Sequence, residues 1–139
     1  MFEYSATLIR IIDGDTFVAD LDLGFKIHKV ETVRLSGINT PESRTRNLEE
    51  KRHGLAAKKV LGGLLTDARK IVVKVAEVGK FGRALGSVYA DGLSVNFELI
   101  DKGYAYPYSG ERKLNYEEMI ARYPAMEDVY RKIRESEDA

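Results

Sequence analysis

The chain has 139 residues, 44% of them hydrophobic, with 22 basic and 22 acidic side chains, two histidines and no cysteine. That length fits one domain that buries about two thirds of its unfolded surface without cross-links. The composition excludes disulfides, thiolate metal sites and a zinc cluster built from His28 and His53 alone, so any metal here is oxygen-liganded.

The N-terminus, Met1 to Ser5, lacks a basic region followed by an apolar one, and no apolar run approaches the ~20 residues that span a bilayer. The expectation is a cytoplasmic protein with no membrane association, acting as a monomer. Tyr4 to Ile12 and Thr16 to Asp22 are rich in β-branched and aromatic residues, and the Asp-Gly between them signals a hairpin turn. Ile27 to Ser36 alternates as a third strand, with Ile27, Val33 and Leu35 on one face and His28, Thr32, Arg34 and Val30 on the other. The polar stretch Ser43 to Asn47 predicts a mobile loop.

A helix follows, starting near Asn47 or Gly54, with Ala57, Leu61, Leu64, Leu65 and Ala68 at helical spacing. Its Gly62-Gly63 pair costs about 1 kcal/mol per glycine relative to alanine. Ile71 to Glu77 and Ala84 to Ala90 read as strands four and five, and Val95 to Lys102 as a short helix closed by Gly103. In the tail, Tyr116, Ile120 and Tyr123, then Met126, Val129, Tyr130 and Ile133, fall at helical spacing, and Pro124 between them should break or kink the helix. His28 is read as a strand residue and His53 as a solvated loop residue, neither with a role.

Three strands, a helix, two strands and a helix match an OB-fold, a five-stranded barrel, here with about three helices in all. One domain is expected over 1–139, with the barrel over about 5–108 and a helical C-terminal segment over about 114–135.

The chemistry gathers at strand ends. Asp15 closes one strand, while Asn39, Thr40 and Glu42 follow another, and oxygens from two loops are what a hard cation such as calcium requires. Asp15 is equally at home as a turn residue. Arg34 and Arg83 stand beside glycine-bearing turns, where a guanidinium offers a bidentate fork for phosphate oxygens, although surface arginines also serve as ion-pair partners. Charge is unevenly placed: four basic against seven acidic residues over 1–43, twelve against seven over 44–110, and six against eight beyond. The acidic opening suits a cation and the basic middle suits phosphates.

Ile12-Asp13-Gly14-Asp15-Thr16, Val33-Arg34-Leu35 through Thr40-Pro41-Glu42, Phe81-Gly82-Arg83, and Val95-Asn96 with Gly103 occur in that order. In these blocks the chain resembles the thermonuclease, or staphylococcal nuclease-like, family of calcium-dependent nucleases. The resemblance implies an OB-fold enzyme that hydrolyses DNA and RNA through one Ca2+ ion and leaves 3′-phosphate ends. It also implies roles for single residues. Asp15 matches a direct calcium ligand and Thr40 a backbone-carbonyl ligand, Glu42 the carboxylate that activates water, and Arg34 and Arg83 the arginines gripping the scissile phosphate.

Asn39 stands where the family commonly has a second calcium-binding aspartate, which implies weaker calcium affinity because ligand charge helps to set it. Phe81 stands where a tyrosine is often found, so a hydroxyl contact is lost and base stacking is kept. Tyr106 and Tyr108 resemble tyrosines that line the nucleotide pocket, and as aromatics beside Pro107 they fit a loop or core position equally well. Two other readings stand beside the enzyme. One is a non-catalytic OB-fold module binding nucleic acid or a protein partner, and the other is a domain whose barrel assembles only with other subunits.

Overall fold

The computed structural model describes residues 2–78 and 82–138, so Gly79, Lys80 and Phe81 lie outside the described residues. The elements run β1 (Phe2–Asp13), β2 (Thr16–Asp22), β3 (His28–Leu35), β4 (Ile38–Asn39), α1 (Leu48–Thr66), β5 (Ile71–Val78), β6 (Ala84–Ala90), β7 (Leu93–Ser94), α2 (Val95–Asp101), β8 (Tyr106–Pro107), α3 (Tyr116–Arg122) and α4 (Pro124–Asp138).

Strands β3, β2, β1, β5 and β6 are antiparallel neighbours in that order, and a parallel pairing of β3 with β6 closes the ring. The result is a closed five-stranded mixed barrel with four helices, the OB-fold the sequence implies. Alternation along β3 and β6 sends Val33, Leu35, Ala84 and Val88 into the core. Phe17, Ala19 and Leu21 from β2, Val73 from β5, and Leu61, Leu65, Val95 and Leu99 from α1 and α2 complete it. Each fully buried leucine contributes about 1.5–3 kcal/mol relative to exposure. Ile27, expected on the core face, is instead exposed, because the strand begins one residue later and Ile27 belongs to the β2–β3 turn.

Helix α1 starts at the earlier of its two expected positions. Asn47 is the N-cap, its side chain accepting the Glu50 N–H, and Glu49 and Glu50 favour the positive end of the helix. Gly54 is therefore inside the helix, and so is His53, which is fully buried rather than solvated. His53 Nδ1 lies 2.8 Å from the Tyr116 hydroxyl and Nε2 lies 2.8 Å from the Gly103 carbonyl, pinning α1 to α3 and to the end of α2. Because a carbonyl only accepts, Nε2 carries the proton and Nδ1 accepts from Tyr116.

Gly103 ends α2 in a Schellman arrangement, its N–H donating to the Ile100 carbonyl and that of Tyr104 to the Leu99 carbonyl. Its φ is +85°, and a Cβ there would meet the Ala125 carbonyl oxygen at 2.1 Å. The tail periodicity is divided at Pro124, which opens α4 while Tyr123 before it is extended, as a pre-proline residue prefers. The stripes face inward in part: Tyr116, Met126 and Val129 are buried and Ile120, Tyr123, Tyr130 and Ile133 half-buried, while Tyr116, Met119 and Met126 form a second small cluster with Tyr106.

Candidate active site

The site forms where β1 turns into β2 and β3 leaves the barrel. Gly14 and Asp15 make a two-residue turn between the paired Asp13 and Thr16. Neither has a positive φ. The glycine is needed for space, since a Cβ on it would lie 2.7 Å from Ala57 Cβ and 3.3 Å from Thr40 Cγ2. The turn is thereby pressed between α1 and the segment after β4, which sets Asp15 against Thr40.

Asp15 is buried, and both its oxygens are used. Thr16 Oγ1 donates to Oδ1 at 2.8 Å and Thr40 Oγ1 to Oδ2 at 3.2 Å. Thr16 pairs with Arg34 across the β2–β3 ladder, and the Leu35 N–H donates to the Asp15 carbonyl at 2.8 Å. Arg34, itself buried, donates from Nη1 to the Leu35 carbonyl and extends Nη2 to 3.5 Å from Asp15 Oδ2 and 3.4 Å from Asn39 Oδ1. A carboxylate oxygen and an amide oxygen from two different loops therefore converge on one nitrogen.

The Asn39 amide is oriented by its far side. Its Nδ2 donates to the Tyr106 hydroxyl at 2.9 Å, across the short β4–β8 ladder in which Asn39 and Tyr106 are partners. That hydroxyl also accepts the Leu114 N–H at 3.0 Å. Tyr106 is buried and stacked on Tyr123, with ring centroids 5.4 Å apart, so its ring belongs to the core and its oxygen to the site. Tyr108 is half-buried beside it, edge-on at 6.4 Å.

Arg83 precedes β6 and lies two residues from Leu85, the parallel partner of Arg34. Alternation in β3 puts Arg34 on the face opposite the core residues Val33 and Leu35. The Arg83 Nε is buried and has no hydrogen-bond partner among the described residues. Phe81, just before it, lies outside the described residues.

Glu42 follows Pro41, and its side chain opens to solvent. Partial burial is the largest influence on its carboxyl and pushes it above the usual range. Lys113 opposes this, while Glu50, Asp15 and Asp13 add to it. The backbone around Glu42 is clamped, so the expected mobile loop is anchored where it begins. The Glu42 N–H donates to Glu50 Oε2 at 3.0 Å, and the buried Ser43 donates from Oγ to Asp13 Oδ1 at 2.5 Å. Gly54 gives the segment its seat, since a Cβ there would lie 2.4 Å from the Glu42 carbonyl oxygen and 2.7 Å from the Ser43 nitrogen.

Among the described residues, no group of three or more His, Cys, Asp and Glu side chains is gathered to hold a metal ion. What is gathered is one carboxylate, one amide oxygen and the Thr40 segment. This all-oxygen set with a single charge fits a hard cation held loosely, and not a soft one.

The structure thus brings Asp15, Arg34, Asn39, Thr40 and Tyr106 into one hydrogen-bonded group, with Glu42 and Arg83 on segments beside it. The profile of the family described as "Staphylococcal nuclease homologue" matches residues 32–136, an unbroken span from β3 into α4. The chain belongs to the staphylococcal nuclease family. It is 28% identical over 119 residues to a thermonuclease of Staphylococcus hyicus, covering 85% of this chain and 68% of that protein. It is 33% identical over 97 residues to a thermonuclease of Staphylococcus intermedius, covering 69% of this chain and 55% of that one, so it spans just over half the length of the second relative. Within the family match lie Arg34, Asn39, Thr40, Glu42, Arg83, Tyr106 and Tyr108; Asp15 precedes it.

Residues that sequence reasoning passed over do much of the positioning. Asn96, noted only as part of a block, accepts the Val88 N–H and donates to the Ser36 carbonyl at 2.8 Å, tying β6 to the turn after β3. Glu50 and Gly54 hold Glu42. The sequence marks Gly54 only as a possible helix start, and Asn47-x-x-Glu50 marks Glu50 only as a helix-capping residue.

Proposed function

We propose that this chain is a calcium-dependent nuclease that hydrolyses phosphodiester bonds of DNA and/or RNA and leaves 3′-phosphate ends. The observation that carries the reading is the convergence of Asp15 Oδ2 and Asn39 Oδ1 at Arg34, with Arg83 directly before the strand that pairs with that of Arg34. Asp15, Asn39 and the Thr40 carbonyl would hold the cation, which when bound offsets charge on the phosphate oxygens.

Arg34 is held in place by the Leu35 carbonyl before any substrate arrives, so little ordering remains when it meets a phosphate. Arg83 supplies the orphaned Nε. Two guanidinium groups then stabilise the charge that develops as phosphorus becomes five-coordinate, where electrostatic terms dominate. Glu42, pushed above the usual carboxylate range, is the better base for taking a proton from the attacking water. The water oxygen bonds to phosphorus, the bond to the 5′-oxygen breaks, and that oxygen takes a proton from solvent. Tyr108 and Phe81 are proposed to meet the flanking base, and the buried Tyr106 supports that pocket from beneath.

A second reading, a non-catalytic module that binds nucleic acid, draws on the uncharged Asn39. One experiment separates the two. Purified protein is incubated with single-stranded DNA or RNA in calcium or chelator, with Glu42→Ala and Arg83→Lys alongside. Calcium-dependent cleavage that falls about 10²- to 10⁴-fold in Glu42→Ala supports the nuclease. Binding without cleavage at millimolar calcium supports the module.

A further inference from the structure

Two helices of this chain begin with the same Asn-x-x-Glu sequence, Asn47 to Glu50 at α1 and Asn115 to Glu118 at α3. At α3 the capping box closes on itself. Asn115 Oδ1 accepts the Glu118 N–H at 2.9 Å, and Glu118 Oε1 accepts the Asn115 N–H at 3.1 Å. At α1 only half of the box is made. Asn47 Oδ1 accepts the Glu50 N–H at 3.2 Å, but the Asn47 N–H turns to Thr45 Oγ1 at 3.3 Å, and Glu50 Oε2 takes the N–H of Glu42 instead.

One helical turn beyond Glu50, on the same face of α1, is Gly54, where the absence of a Cβ lets the Glu42 carbonyl lie against the helix. Glu50 thus binds the front of the Glu42 residue and Gly54 receives its back, while Ser43 is tied to Asp13. Among the described residues the Glu42 carboxylate has no hydrogen-bond partner, on a peptide that is held on both sides. The arrangement works against local electrostatics, since it holds a second carboxylate near Glu42. Glu118 closes its box even while it also takes both Arg112 Nη groups, whereas Glu50 leaves its cap N–H to Thr45.

We propose that Glu50 is a positioning residue for Glu42, withdrawn from helix capping to hold the Glu42 peptide on α1. The proposal rests on the reading of Glu42 as the group that serves the attacking water. Glu50 touches no reacting atom, and its effect passes through the place it gives to Glu42.

The test compares Glu50→Ala with Glu50→Gln, which keeps an acceptor oxygen. Cleavage of single-stranded DNA in calcium, amide hydrogen exchange at Glu42 and thermal midpoints are measured for each. Glu50→Ala is expected to lower kcat about 10- to 100-fold with little change in KM, as a displaced catalytic group does, and to speed exchange at the Glu42 amide. Glu50→Gln is expected to restore both. Unchanged exchange in Glu50→Ala, or an equal loss of kcat in both variants, overturns the proposal. So does a loss of kcat and thermal midpoint together that Asn47→Ala reproduces, since that is the signature of a plain cap. Wild-type protein that cleaves nothing overturns the nuclease reading alone, because exchange at Glu42 still reports whether Glu50 holds it.

Discussion

Gly54→Ala sets two effects of known size against each other. In a helix interior alanine is favoured over glycine by about 1 kcal/mol, so propensity alone makes the variant more stable. The added methyl would sit 2.4 Å from the Glu42 carbonyl oxygen, 2.5 Å from its carbonyl carbon and 2.7 Å from the Ser43 nitrogen, all backbone atoms that no rotamer change can move. Restoring normal van der Waals separation requires the Glu42 peptide to retreat by about 1 Å, and overpacking of this kind costs about 1–3 kcal/mol. Net destabilisation is therefore small, about 0–2 kcal/mol. A shift of about 1 Å in a catalytic group costs about 100-fold in rate, equivalent to about 2.7 kcal/mol of barrier. The expected signature is a rate loss out of proportion to the stability loss. Initial rates on single-stranded DNA at saturating calcium, with urea midpoints for both proteins, measure it. A rate within about twofold of wild type, or a loss that simply follows stability, refutes the reasoning that the seat on α1 places Glu42.

Burial holds His53 below its ordinary value of 6.5, so the unfolded chain binds a proton there that the folded one refuses. Stability contributed by the neutral ring is complete above pH 6.5 and falls as pH drops below it, with a slope of up to about 1.4 kcal/mol per pH unit. Urea midpoints between pH 7.5 and 5.5 should fall more steeply in wild type than in His53→Gln. Tyr106→Phe removes the acceptor for both Asn39 Nδ2 and the Leu114 N–H, which costs about 1–3 kcal/mol per orphaned donor and should be visible as a lowered thermal midpoint. Asn39→Asp adds a charge to an oxygen set that has one, so calcium should bind more tightly by direct titration. Failure to tighten removes Asn39 from the ligand set.

The barrel was legible because its strands obey simple alternation: Phe17, Val33, Leu35 and Val88 are apolar where the core needs them, and a period of two survives any tertiary context. Asp15, Arg34, Asn39 and Glu42 could be named because each stands at or within three residues of a strand end, and strand ends of a barrel share a rim. His53, read as a solvated loop residue, is a buried helix residue. One histidine reads alike on a solvated loop and in a core, and only Tyr116, 63 residues away, and the Gly103 carbonyl satisfy its two nitrogens. Tyr106 likewise read equally well as a pocket and as a core aromatic, and its pairing with Asn39 shows one hydroxyl serving core and site together.

By itself, then, the sequence determined the elements, the barrel and the residue types at its rim, because these depend on periodicity and turn chemistry within short windows. The tertiary structure alone decided how the rim is aimed. Gly14 against Ala57, Gly54 against Glu42, and Glu50 turned away from Asn47 are contacts between segments that the local pattern cannot relate. Whether a glycine is there for its φ or for the room it leaves depends on what packs against it, and that is fixed only when the chain has folded.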